Sequence, residues 1–253
     1  MPDPVNVVWF DTVDSTNAVA ERFVEGWLAS EEYRLPETVV VARQQSMGRG
    51  RSGRSWESPA GGLYATWFAG LPARDLPVVP MAVGVSLAAA VEGLALNVRV
   101  GLKWPNDLQV DGAKLGGVLC SSRSAGEAAW VAAGFGVNVS TVPALAPGEG
   151  TQAVSLREVG FTGEVDEAIW TLVGGFLTHI HSAIADPRGT RSQWLARSVH
   201  AVGDRVRVRL PAGVVEGTLV GFGRFGEIEL EVGGRRRRVS AAELMVTERQ
   251  GGT

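Results

Sequence analysis

The chain has 253 residues, 45% of them apolar and 20% charged. A chain of that length buries roughly 70% of the surface its unfolded form exposes, so an apolar core can hold it without disulfide or metal staples, and the composition excludes disordered and fibrous classes. A net charge of −3 argues against a general nucleic-acid binder, which is usually basic overall.

In chain order, residues 5–10 form an apolar run that predicts a strand. Asp14-Ser15-Thr16-Asn17 follows, and residues 18–28 have helical apolar spacing, so Ser15, Thr16 or Asn17 is placed to cap a helix. Residues 38–42 are β-branched and read as a strand, and residues 44–53 as a polar, glycine-rich loop. Residues 63–68 predict a strand and residues 80–96 the main apolar helix. Residues 98–104 predict a strand, and Pro105-Asn106-Asp107 a turn. Residues 108–110 and 114–121 flank Asp111-Gly112, a hairpin signal. A strand over 130–139, a loop over 141–150 and a helix over 167–184 complete this part. The interleaving predicts an α+β unit over residues 1–198, with a central mixed sheet and flanking helices.

From residue 199 the pattern changes to short strands at 205–210, 214–222, 226–232 and 235–240. Arg205, Arg207 and Arg209 alternate with apolar residues, as do Glu227, Glu229 and Glu231. Residues 199–253 therefore read as a small SH3-like β-barrel, with arginine and glutamate faces available for a cross-strand ladder.

The N-terminus has no basic or apolar leader character, and residues 78–96 are interrupted by Ser86 and Glu92. Cys120 is the single cysteine and sits in an apolar run, as a core residue rather than a nucleophile. These features predict a cytoplasmic protein without a membrane span. Among 24 basic residues only Lys103 and Lys114 are lysines, which directs attention to both. His179 and His181 are two apart on a predicted helix and point apart, so no metal site follows.

The segment GRGRSGRSW over residues 48–56 is the most unusual. Its glycines match G-x-G-x-x-G, but Trp56-Glu57-Ser58-Pro59 cannot open the helix a dinucleotide site needs. Arg43, Arg49, Arg51 and Arg54 meet no acid before Glu57. Glycine lets such a loop approach a ligand, and arginine forks bind carboxylate and phosphate oxygens. Two readings stand on charge pattern alone: a mobile loop ordered by an anionic ligand, and a solvated basic loop or RNA contact.

Four segments in order, Asp14-Ser15-Thr16-Asn17, the arginine loop, Lys103-Trp104-Pro105-Asn106-Asp107 and Gly112-Ala113-Lys114-Leu115-Gly116-Gly117, resemble the biotin protein ligases. Gly134 to Asn138 (GFGVN) and the C-terminal unit extend the resemblance over nearly the whole chain. It implies a monofunctional enzyme that activates biotin with ATP and Mg²⁺ to biotinoyl-5′-adenylate. Biotin then passes to a lysine of the biotin carboxyl carrier domain of an acyl-CoA carboxylase. It implies that Ser15, Thr16, Asn17 and Gln45 line the ureido end of biotin, and that Arg49, Gly50 and Arg51 close over biotin and the phosphates. Lys114 is implied at the biotin carboxylate and α-phosphate, with Arg51 as the second catalytic cation. Trp56, Asn106 and Asn138 are implied at the nucleotide, and Asp107 at Mg²⁺ through the phosphates. The expected state is a monomer or a weak, ligand-induced homodimer.

The residue types suit that chemistry. A carboxylate attacking a phosphate joins two anions, and fixed cations offset the repulsion. The neutral ureido ring needs hydroxyl and amide partners in an apolar pocket. The sequence Gln44-Gln45-Ser46-Met47-Gly48 departs from the related pattern, which leaves Gln44 or Gln45 as the pocket glutamine. The Asp14 motif comes too early for an N-terminal DNA-binding module, so no repressor role or DNA partner is expected. The rivals are a lipoate–protein ligase or octanoyltransferase of the same fold, and an RNA-binding module using the arginine loop and Arg235 to Arg238.

Overall fold

A computed structural model describes residues 4–29, 35–143, 152–210, 213–240 and 242–249. The first sheet has seven strands: β1 (Asn6–Val13), β2 (Thr38–Gln45), β3 (Gly62–Pro72), β4 (Gly101–Lys103), β5 (Asp107–Val110), β6 (Ala113–Ala125) and β7 (Ala128–Asn138). Their spatial order is β1-β2-β3-β7-β6-β5-β4. Only β1 and β2 run parallel, joined through helix α1 (Thr16–Ala29); the other neighbours are antiparallel.

The alternation of β2 explains why both faces of this sheet are covered. Val39 and Val41 face a core with helices α2 (Val79–Glu92) and α3 (Val165–Ala185), while Val40 and Ala42 face the α1 side with Val19, Ala20 and Val24. Trp67 on β3 and Phe135 on β7 both meet Phe176 of α3, with ring centroids 6.1 and 4.7 Å apart. The segments Ala73–Glu92 and Val165–Ala185 are long and apolar enough by composition to cross a membrane. Both contribute their apolar side chains to this core.

Several boundaries differ from those expected. β1 and β2 each run further, to Val13 and Gln45, so Gln44 and Gln45 are strand residues and not loop. α2 stops at Glu92, and the next strand begins only at Gly101; Ala95 has φ +56°, which no helix or strand accommodates. β6 and β7 meet in a long hairpin at Gly126, φ +62°. Of the expected loop at 141–150, residues 144–150 lie outside the described residues.

Helix α4 (Pro187–Arg197) was not expected, because its sequence is polar and buries only Thr190 and Trp194. It starts by local chemistry: the Asp186 carboxylate accepts from the Gly189 amide at 3.0 Å, and Pro187 opens the first turn.

The C-terminal strands are β8 (Arg205–Leu210), β9 (Gly213–Phe222), β10 (Ile228–Val232), β11 (Arg235–Val239) and β12 (Glu243–Glu248), in the order β11-β10-β9-β8-β12. The fifth strand, β12, escaped the sequence reading although Leu244 is buried and Met245 exposed on alternate sides. The expected ladder between Arg205–Arg209 and Glu227–Glu231 does not form, because β9 lies between β8 and β10. The charges pair instead with nearer strands, Arg207 with Glu216 at 2.6 Å and Arg238 with Glu229 at 2.7 Å. The unit is docked on the first sheet through one continuous core. The buried Trp104 indole donates to the Gly226 carbonyl at 2.8 Å, and Arg191 of α4 donates to the carbonyls of Phe222 and Gly223.

Candidate active site

Where β1 ends and α1 begins, the chain buries Ser15, Thr16 and Asn17. Thr16 and Asn17 do more than start a helix. The Thr16 amide donates to Gln45 Oε1 at 2.8 Å, so a glutamine from β2 satisfies a helix N-terminal donor from outside. That bond fixes the Gln45 amide. Its Nε2 donates to Ser58 Oγ at 2.7 Å, and Ser58 donates to the Trp56 carbonyl at 3.0 Å. The Thr66 hydroxyl on β3 lies 2.9 Å from both Thr16 Oγ1 and Asn17 Oδ1, and Asn17 Nδ2 donates to the Leu119 carbonyl at 3.3 Å. Gln44 instead donates to Thr12 Oγ1 on the exposed side. The result is a buried polar chain, Ser58–Gln45–Thr16–Thr66–Asn17, with its amide orientations set by unambiguous partners.

Asp14, next to this chain, faces outward. Its carboxylate takes a two-pronged bond from Arg22 at 2.7 and 2.9 Å. That guanidinium holds the Asp14 carboxyl well below the usual carboxylate range.

The arginine loop has a defined, hydrogen-bonded course. The Gly50 amide donates to the Arg54 carbonyl at 2.7 Å and the Trp56 amide to the Gly48 carbonyl at 2.9 Å, which closes a tight turn through Ser52 (φ +56°) and Gly53 (φ +74°). Gly48 has no space for a side chain: a Cβ there would strike the Trp56 carbonyl and lie 2.6 Å from Ser58 Oγ. The four arginines diverge. Arg43 pairs with Asp166 of α3 at 2.6 Å, and Arg49 pairs with Glu21 of α1 at 3.1 Å. Arg51 reaches inward, to Asn106 Oδ1 at 3.4 Å and to the Ala242 carbonyl of the C-terminal unit at 3.2 Å. Arg43 therefore does not belong to the cluster in which the sequence reading placed it.

Trp56 connects the loop to the second half of the site. Its ring lies over two glycines: an added Cβ on Gly136 would come within 3.0 to 3.2 Å of the indole, and one on Gly117 within 3.4 Å. The Lys114 ammonium sits 5.0 Å from the Trp56 ring centroid and 2.8 Å from Asp107 Oδ1. Lys114 lies on β6 beside Asp107, the first residue of β5, and Asn106, which ends the preceding turn and whose Nδ2 donates to the Val118 carbonyl at 2.6 Å. Lys114, Asp107, Asn106, Arg51 and Trp56 thus form one partly buried, cation-rich cluster.

Asn138 is buried beneath this cluster. Its Nδ2 donates to the carbonyls of Val154 (3.0 Å) and Lys114 (3.4 Å), so it braces the Lys114 backbone. The 152–154 segment adds two further bonds to the Lys114 backbone. Sequence reasoning missed Thr66, Ser58 and the bracing segment, and it named Gly134 only as part of the GFGVN string. Thr66 carried one available signal: it is the single Ser or Thr in β3, set among apolar neighbours. Cys120 is partly buried against the core, and desolvation pushes its thiol up to about 12. The groove beside β1, lined by Phe10, Val13, Asp14 and Phe23, is separate from both clusters.

Against known proteins, residues 9–138 match the sequence model of the biotin/lipoate A/B protein ligase family. A biotin–[acetyl-CoA-carboxylase] ligase of Paracoccus denitrificans is 32% identical over 246 residues, covering 91% of this chain and 96% of that protein. One from Mycobacterium tuberculosis is 31% identical, covering 82% of this chain and 78% of that protein. Among solved structures, the Aquifex aeolicus biotin protein ligase in complex with biotin and ATP has a TM-score of 0.73 and 25% identity, covering 96% and 99% of the two chains. With the family model over half of the chain and a full-length relative above 30% identity, the chain belongs to the biotin/lipoate A/B protein ligase family.

Proposed function

We propose that this chain is a biotin protein ligase. In the first step a biotin carboxylate oxygen attacks the α-phosphorus of ATP, giving biotinoyl-5′-adenylate and pyrophosphate. In the second, a lysine amine of a biotin carboxyl carrier domain attacks the acyl carbon, and AMP leaves. The observation that carries the reading is the juxtaposition of two dissimilar clusters. A largely buried, neutral hydrogen-bonding chain at Thr16, Asn17, Gln45 and Thr66 suits a ureido ring, and the cluster at Lys114, Arg51 and Asn106 suits a carboxylate meeting a triphosphate.

Each residue then has a role. Ser15, Thr16, Asn17 and Gln45 hold the ureido end. Lys114, a compact charge on a partly buried stem, bridges oxygens of the two reacting groups as charge builds at phosphorus. Arg51 and Asn106 hold phosphate oxygens, and Arg49, Gly50 and Arg51 cover the labile anhydride against water. Trp56 forms the wall against which the loop closes. Asn138 acts on the nucleotide site through the Lys114 backbone it braces.

Among the described residues no group of three or more His, Cys, Asp or Glu gathers to cage a cation. Asp107 is already paired with Lys114. Such a donor set fits Mg²⁺ that arrives on the triphosphate and takes at most one protein carboxylate, at Asp107. When bound, it neutralises phosphate charge. In this proposal residues 1–198 contain the site, residues 199–253 form a docked β unit, and the enzyme works in the cytoplasm as a monomer or ligand-induced dimer, without DNA.

The test is exchange of labelled pyrophosphate into ATP, with biotin, lipoate and octanoate as alternative acids. Exchange with biotin alone is expected. Exchange with lipoate or octanoate instead would move the substrate to the other branch of the family, and no exchange by folded protein would refute adenylation.

A further inference from the structure

Charge is unevenly divided along this chain. Residues 199–253 contain nine arginines against seven carboxylates, while residues 1–198 contain fifteen basic and twenty acidic residues. The excess is concentrated on β11, whose five residues Arg235–Val239 include four consecutive arginines. Strand β11 ends its sheet, paired only with β10. In register Arg238 faces Glu229 and Arg236 faces Glu231. Arg238 and Glu229 make an ion pair at 2.7 Å, but Arg236 and Glu231 do not. Arg235, Arg236 and Arg237 are all exposed, and among the described residues none has an ion pair or side-chain hydrogen bond.

Arg235 and Arg237 share one face of this edge strand and Arg236 lies on the other, so the long side chains crowd positive charge around a single edge that gains no ion pair from them. Charged edges do prevent sheet-to-sheet aggregation, but one or two charges suffice for that. Their position suggests a second use. The chain leaving β11 reaches Ala242, whose carbonyl accepts from Arg51. Five residues separate Arg237 from that contact, at most about 17 Å of chain. The arginine edge therefore lies within about 17 Å of chain of a residue that touches the loop of the proposed active site.

Resting on the ligase reading, we propose that Arg235, Arg236 and Arg237 form a docking surface for an acidic face of the carrier domain, orienting its lysine toward the adenylate. A protein face fits better than a nucleic acid. A long polyanion is disfavoured by a chain whose net charge is −3, while a compact acidic surface can meet the arginines alone. Exposed ion pairs of this kind act on encounter and KM rather than on chemistry, and they are screened by salt.

The test uses the full chain and a carrier domain that the wild-type enzyme biotinylates. The variant R235E/R236E/R237E is compared with R235K/R236K/R237K and wild type. For the glutamate variant, KM for the carrier is expected to rise about tenfold with kcat unchanged, and the lysine variant is expected to recover most of that loss. Biotin-dependent pyrophosphate exchange is expected to be equal in all three. At about 1 M salt, where screening acts within ~3 Å, the wild-type KM is expected to approach that of the glutamate variant. An unchanged carrier KM overturns the proposal. So does a matching loss of pyrophosphate exchange, which would assign the arginines to folding or to the nucleotide. RNA retention by wild type that the glutamate variant loses, with carrier kinetics unchanged, would assign them to nucleic acid. Absence of exchange in the wild type refutes the ligase reading itself, and this proposal with it.

Discussion

Gly134→Ala tests whether the buried polar chain binds substrate. Gly134 lies in the middle of β7, and Thr66 faces it in register from β3. A methyl added at Gly134 would overlap the Asn17 side-chain oxygen, at 2.7 Å from Asn17 Cγ and 3.0 Å from Nδ2. Carbon contacts settle near 3.5–4.0 Å, so Asn17 must retreat by about 1 Å. That displacement breaks its bonds to Thr66 and to the Leu119 carbonyl. Two hydrogen bonds at about 1 kcal/mol each, plus the strain of overpacking, give a loss of about 3 kcal/mol. The measurement is the urea midpoint, paired with KM for biotin in pyrophosphate exchange. We expect a lower midpoint and at least a tenfold higher biotin KM, with KM for ATP little changed, because the Lys114 cluster is built separately. Gly70→Ala on β3 is the control: nothing lies within 4 Å of its Cβ position, so stability should hold or rise slightly. An unchanged biotin KM in Gly134→Ala would refute the assignment of this pocket.

Three further outcomes are expected. Lys114→Ala removes the cation between Asp107 and Trp56 and should lower pyrophosphate exchange about 10²-fold or more, with the circular dichroism spectrum intact; retained exchange rejects its role. Arg51→Gly removes the loop's contacts with Asn106 and Ala242 and should release adenylate, measured as biotin on bystander lysines; wild-type selectivity would reject the shielding role. His200 is buried, and that burial, helped by nearby Lys103, pushes its imidazole down from 6.5 to about 4. Between those pH values the unfolded chain binds a proton that the folded chain excludes, so this contribution is complete above about pH 6.5 and is lost as pH falls toward 4. The loss is about 3 kcal/mol, and His200→Leu should flatten that part of the urea-stability profile; an unaltered slope rejects it.

Much of the fold was legible in the sequence where one period dominated. Val39 to Ala42 in β2, Arg205 to Leu210 in β8 and the apolar run of α2 announced themselves, because burial on one face or all round leaves a direct imprint on residue type. α4 left no such imprint, since it buries only two side chains and is held by the Asp186 cap and by Arg191 reaching the β9 turn. Local sequence contains the cap but not the surface that makes it worthwhile. The family motifs were likewise readable as short strings, because Gly48 and the DSTN segment each serve a backbone or side-chain requirement at one place.

What sequence alone determined was therefore the class of each part: which segments bury, which turn, and which side chains have chemistry to offer. Tertiary structure decided which of these meet. Gln45 rather than Gln44 reaches Thr16, because a strand residue points to one face only and its neighbour to the other. Arg51 turns inward while Arg49 and Arg43 do not, because Glu21 and Asp166 on two different helices hold those two elsewhere. Asn138 braces Lys114 across a strand pair, and Thr66 closes a hydrogen-bonded chain some fifty residues from its partners. Such contacts join residues whose separation in the chain has no bearing on their distance in space, so no local pattern encodes them.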